Sequence, residues 1–178
     1  MEVYKYLVIW CDKVRYLLVG GKILKVVFIL KQWTKEIEID APIEQVWKFF
    51  DGTTENMRKI MPQVVENKPI TITEEKVGSV YLQKYKEGKR VMEYEVETFL
   101  YQDLPNEKKM KAGFTLANMF EITAYYELVK LSEHKTSFTY TTTNRPLKWF
   151  VKLFLLFSND KVVVEFLQRV KKVAESEN

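Results

Sequence analysis

The sequence predicts an α+β fold, one antiparallel sheet of about seven strands closed over a long C-terminal helix. Three observations carry that expectation. From Ile70 to Thr143 apolar and polar residues alternate with period two, and every connection is short. From Leu147 the period changes: Leu147, Phe150, Val151, Phe154 and Phe157, then Val163, Phe166, Leu167, Val170 and Val173, recur at helical spacing. Ahead of the sheet, one alternating segment is followed by two short amphipathic segments.

That first strand is Trp33 to Ile39, with Ile37 and Ile39 inward. Asp40-Ala41-Pro42 ends it: Asp40 suits an N-cap, and Pro42 suits a first helical turn, where its missing N–H is not needed. Ile43, Val46, Trp47 and Phe50 give the first short helix, closed near Asp51-Gly52. Glu55 to Met61 gives the second, with Met57, Ile60 and Met61 on its apolar side and Pro62 as its stop.

The meander begins at Ile70 to Thr73 and turns at Val77-Gly78. Val80 to Lys86 and Arg90 to Tyr101 flank a Glu87-Gly88-Lys89 hairpin. Lys108 to Thr115, Met119 to Leu131 and Thr136 to Thr143 follow, separated by turns at Leu104-Pro105-Asn106, Ala117-Asn118 and Glu133-His134-Lys135. Short connections favour antiparallel neighbours over parallel crossovers. Glu93, Glu95 and Glu97 share one face, and Met92, Tyr94, Val96 and Leu100 the other. The same segregation holds for Met110, Ala112 and Phe114, for Ala124, Tyr126 and Leu128, and for Phe138, Tyr140 and Thr142. The apolar face needs a cover, and the C-terminal helix is the element long enough. A helix from Leu147 to Glu175 would be about 43 Å long.

Charge and composition exclude several function classes. Of 28 basic and 24 acidic residues, six and two fall within residues 1–31, leaving 22 of each in the body. A neutral body offers no field for a phosphate backbone, so no nucleic-acid partner is expected. Cys11 is the one cysteine, so no disulfide framework exists and a reducing, cytoplasmic setting is expected. His134, the one histidine, lies in a hairpin turn; nucleophilic His pairs and His/Cys metal sites cannot be assembled. No glycine cluster forms a phosphate loop, and neither metal nor cofactor is expected. The remaining acid–base candidates are Glu93 or Glu121, if the strand parity is reversed, and Arg90.

Residues 1–30 alternate short apolar runs with charges and never approach the roughly 20 apolar residues of a membrane span. They read as two added strands around Gly20-Gly21, as a basic membrane-surface segment, or as residues foreign to the natural protein. On the last reading translation starts within residues 24–30. The N-terminal mass of protein made from the native gene tests this, and a mass that includes Met1 contradicts it.

The segment Ile37-Glu38-Ile39-Asp40-Ala41-Pro42-Ile43-Glu44-Gln45-Val46-Trp47, the Val77-Gly78-Ser79 turn and the C-terminal helix together resemble the START-like (SRPBCC) superfamily. They are most similar to its bacterial polyketide cyclase/dehydrase-like proteins. The resemblance spans residues 33–176 and leaves 1–30 outside the family pattern. It implies a helix-grip fold, in which a curved sheet wraps the C-terminal helix around an apolar cavity. Carried over by position, the lining is Trp47, Met57, Met61, Tyr81, Tyr85, Met92, Tyr94, Phe114, Tyr126, Phe138, Tyr140, Phe150, Phe154 and Phe157, with Gln83 as a polar anchor. Tyr81, Tyr85, Tyr94, Tyr126 and Tyr140 bring hydroxyls inward, and buried hydroxyls need partners, which water or a ligand's polar end supplies in a hollow interior.

Three functions are consistent with these residues. The first is non-catalytic binding of a hydrophobic or aromatic, lipid-like or polyketide-like molecule between sheet and helix. The second is a cyclase or dehydratase, which needs a carboxylate or arginine reaching the cavity. The third is an interaction module, with Trp149, Leu153, Leu155 and Leu156 meeting a partner or a membrane surface beside Lys148 and Lys152.

Overall fold

The period-two segments form one seven-stranded antiparallel sheet whose strand order follows the hairpin connections. In the computed structural model the described residues are 9–11, 14–19, 22–27, 30–148, 150 and 159–177, with side chains described from Leu30 onward. Strands β1 (Ile9–Cys11), β2 (Val14–Val19) and β3 (Lys22–Val27) make a three-stranded antiparallel sheet in which β2 and β3 pair from Val14↔Val27 to Val19↔Lys22. Then follow β4 (Lys31–Ile39), α1 (Ile43–Trp47) with a 3-10 turn over Lys48–Phe50, and α2 (Thr54–Ile60). Strands β5 (Val64–Thr71), β6 (Val80–Glu87), β7 (Arg90–Asp103), β8 (Glu107–Leu116), β9 (Phe120–Ser132) and β10 (Lys135–Pro146) lead to α3 (Lys161–Ser176). The large sheet runs β4-β10-β9-β8-β7-β6-β5.

β5 begins at Val64, six residues before the expected Ile70, and ends before Ile72. It is an edge strand, the place where Pro69 costs no ladder hydrogen bond. Irregular registers at Val64/Glu66, Pro69/Thr71, Thr98/Leu100 and Lys135/Thr136 add local bend and twist to the sheet. The third of these inverts an expectation. Thr98 pairs with Ala112, but Leu100 pairs with Lys111 and Tyr101 with Met110. Leu100 therefore faces solvent and Tyr101 faces the core, because the extra residue at Phe99 shifts the alternation by one.

α1 is entered without a side-chain cap: its N-cap is Pro42 rather than Asp40, whose backbone N–H donates to Glu175 Oε1 at 2.9 Å. α2 is capped by Thr53, whose Oγ1 accepts from Asn56 N.

The C-terminal helix is shorter than its periodicity suggests. It starts at Lys161, about 24 Å for 16 residues, and is not continuous with Leu147. Asn159 Oδ1 accepts from Lys161 N–H at 3.1 Å, the local competition by which Asn and Asp interrupt a helix. Val163, Phe166, Leu167, Val170 and Ala174 are buried against the sheet and the short helices. Polar contacts fix its docking: Gln45 Nε2 donates to Ala174 O at 2.7 Å, and Arg169 Nη1 donates to Ile60 O at 3.1 Å, satisfying a carbonyl at the end of α2.

Candidate functional site

The interior divides into a filled half and a hollow half. Phe138, fully buried, sits 5.8 Å from Phe50, 6.5 Å from Tyr126 and 6.3 Å from Phe166, ring centre to ring centre. Tyr126 stacks on Tyr140 at 5.2 Å, and Phe166 of α3 closes on Tyr140 at 4.8 Å. These rings come from β9, β10, α3 and the 3-10 turn, and they pack face or edge against one another as aromatic quadrupoles favour.

Burial raises the phenol pKa values of Tyr126, Tyr140 and Tyr94 above the ordinary value of about 10. A folded pKa above the unfolded one contributes stability that is complete below pH 10 and is lost as pH rises beyond it. On alkaline titration the phenolate absorbance of these tyrosines is expected to appear together with loss of near-ultraviolet circular dichroism. Complete phenolate formation in a still folded protein would contradict it.

Beyond Phe50 the packing opens into a cavity of about 250 Å³. Its apolar wall is Phe50, Met57, Val96, Met110 and Ala112; its polar wall is Asn67, Ser79, Tyr81, Gln83 and Thr98; Asp51, Gly52, Lys76 and Tyr101 complete it. The Asp51-Gly52 turn places these groups. Gly52 has φ +86°, and a Cβ there would lie 3.1 Å from the Tyr81 hydroxyl, so glycine serves both the turn and the close approach of the ring. Asp51 is committed to the entry of α2: Oδ1 accepts from Thr53 N and Oγ1 at 2.8 and 2.7 Å, and Oδ2 from Asn56 Nδ2 at 2.7 Å.

A chain of amides crosses the polar wall. Asn67 Nδ2 donates to Gly52 O at 2.7 Å; Gln83 Nε2 donates to Asn67 Oδ1 at 3.3 Å; Tyr94 Oη donates to Gln83 Oε1 at 3.0 Å. The three side chains stand on directly paired residues, Asn67↔Gln83 and Gln83↔Tyr94, so sheet register builds the chain. Gln83 Nε2 also points at Met57 Sδ, 3.1 Å away.

A second cleft, about 610 Å³, opens where the β7–β8 ladder stops at Glu97↔Gly113. Tyr94 and Phe114, stacked at 4.4 Å, lie at its base, and Glu93, Glu95, Glu97 and Glu121 surround it.

The expected lining residues thus fall into separate groups. Met57, Tyr81 and Gln83 meet at the cavity. Tyr94 reaches it through Gln83, and with Phe114 lines the second cleft. Trp47, Tyr126, Phe138 and Tyr140 belong to the filled half, and Met61 packs against that core. Tyr85 and Met92 are a half-buried cross-strand pair beside the Glu87-Gly88-Lys89 turn. Phe150 is 41% exposed. Phe154 and Phe157, like Trp149, Leu153, Leu155 and Leu156 of the interaction reading, lie outside the described residues. Among the described residues no part of α3 lines the cavity, whose walls are β5–β8, the β5–β6 connection, the α1–α2 connection and Met57 of α2.

Asn67, Ser79, Thr98, Tyr101 and Lys108 are polar positions that sequence reasoning left out. Lys108 is 2% exposed, with Nζ against Asp103 and 2.8 Å from Glu44 Oε1; Trp47 Nε1 donates to the same Asp103 carboxylate at 3.1 Å. The signal was available: in Lys108-Lys109 alternation must turn one lysine inward.

Two comparisons return nothing: no family model and no curated protein matches the chain. Solved structures do. An aromatase/cyclase (Zhui) from a Streptomyces species is 12% identical with a TM-score of 0.66, over 84% of this chain and 96% of that one. Norcoclaurine synthase from Thalictrum flavum, solved with dopamine and hydroxybenzaldehyde, is 14% identical with a TM-score of 0.60, over 85% and 90%. Ginseng major latex-like protein 151 from Panax ginseng is 18% identical with a TM-score of 0.59, over 83% and 97%. At such identities the likeness speaks for the fold. The chain has the helix-grip fold, a curved antiparallel sheet with a C-terminal helix, that the resemblance of the Ile37–Trp47 segment implied. Among the described residues no helix is long and apolar enough to cross a membrane.

Proposed function

We propose that this protein binds a hydrophobic or aromatic small molecule in the cavity between the sheet and the α1–α2 connection. One observation carries the reading: about 250 Å³ of space with an apolar wall facing a fixed chain of neutral hydrogen-bonding side chains. Apolar concavity with a few convergent polar groups is what a small-molecule site requires. The cyclase or dehydratase reading gains a carboxylate at the wall, Asp51, but both its oxygens are engaged in the entry of α2. Binding without chemistry is therefore the reading the geometry favours. Native mass spectrometry of the purified protein, before and after incubation with aromatic compounds, tests it. A small-molecule adduct that is released on denaturation is expected; a protein that carries and acquires no adduct contradicts it.

A further inference from the structure

We propose that the ligand enters the cavity by an uncharged, ring-containing end bearing an acceptor oxygen, which takes its hydrogen bond from Gln83 Nε2. This rests on the small-molecule reading above and adds to it the chemistry of the inserted end. The direction of the amide chain is forced by a backbone group. The Gly52 carbonyl can only accept, so Asn67 turns its NH2 toward it and its oxygen toward Gln83. Gln83 must then present its own NH2 to Asn67, which leaves its oxygen for the Tyr94 hydroxyl. One N–H of Gln83 has only the Met57 sulfur to meet, a weak acceptor. That hydrogen is the unfulfilled donor of the wall, and an oxygen is the partner it lacks.

Thr98 offers a second polar point at the other end of the cavity, bonded through its backbone to Ser79, four residues or about 13 Å along β6 from Gln83. It is 7% exposed, its side chain shares the cavity face with Val96 and with Ala112, its partner across the ladder, and its hydroxyl makes no hydrogen bond among the described residues. That hydroxyl opens on the cavity itself, where a second polar atom of the ligand or a water can meet it. Beside Gln83 the wall holds no charge: among the described residues the cavity's ionic side chains are Asp51, engaged at the entry of α2, and Lys76, exposed in the β5–β6 connection, and they are opposite in sign. A carboxylate or ammonium pushed against Gln83 would lose its water without gaining a counter-charge. Size sets the last term. A cavity of about 150 Å³ takes up benzene, so 250 Å³ fits a substituted ring or two fused rings.

Calorimetric titration of the full chain with four probes of similar size separates the possibilities: acetophenone, ethylbenzene, benzoate and benzylammonium. Acetophenone is expected to bind roughly tenfold more tightly than ethylbenzene, and both ions more weakly than either. In Gln83→Leu and in the more nearly isosteric Gln83→Met, each checked for native circular dichroism, that advantage is expected to shrink to about twofold or less. Equal affinity for acetophenone and ethylbenzene, tighter binding of either ion, or an advantage that survives both substitutions overturns the proposal and leaves the small-molecule reading standing. Failure of all four probes to bind removes both.

Discussion

Ala112→Phe is expected to abolish ligand binding, by about a hundredfold or more, while the protein stays folded. Ala112 lines the cavity from β8, opposite Thr98 on one side and Ala124 on the other. A benzyl group built there occupies the space a ligand's ring would use. Added volume in a filled core costs about 1–3 kcal/mol through strain, but here the new ring has a cavity of about 250 Å³ to enter. Thermal unfolding should therefore move little, while titration with an aromatic probe should show no saturable heat. Probe affinity unchanged by the substitution would place the ligand elsewhere.

The filled half should respond in the opposite way. Phe138→Ala removes a ring with no exposed surface, in contact with rings from Phe50, Tyr126 and Phe166. Deleting such a side chain forfeits its transfer free energy and leaves a void, a loss of about 3–5 kcal/mol. At roughly 2–4 °C per kcal/mol for a chain of this size, Tm should fall on the order of 10 °C. Phe138 was expected from the sequence to line a cavity. A fall of only a degree or two would restore that expectation and count against a packed aromatic half.

Most of the architecture could be read from the chain because alternation and short turns dictate it. The β6–β7 hairpin over Glu87-Gly88-Lys89, the inward parity of Ala124, Tyr126 and Leu128, and the apolar stripe of Val163, Phe166, Leu167 and Val170 all follow from period and turn chemistry. Parity fails where a bulge adds a residue, which is why Leu100 and Tyr101 exchange faces. β5 is only partly visible because Asn67 and Pro69 obscure the alternation of an edge strand.

The site was less legible for a different reason. Inward direction is a property of one strand, whereas a void is a property of how several elements meet. Tyr126 and Tyr81 both point inward, yet one is stacked among rings and the other stands at the cavity beside Gly52. Gln83 could be picked out as a polar residue at an inward position. Its partner Asn67 and the unpaired Thr98 emerge only when β5, β6 and β7 are in register.

Methyl resonances give the most direct test of the central claim, that a small neutral molecule occupies the space enclosed by Met57, Thr98 and Ala112. Titrating acetophenone into methyl-labelled protein should shift these three methyls together, along one saturable curve, with Leu131 on the exposed face unmoved. Shifts that gather at exposed methyls such as Leu131 and spare Met57, Thr98 and Ala112 would contradict the account.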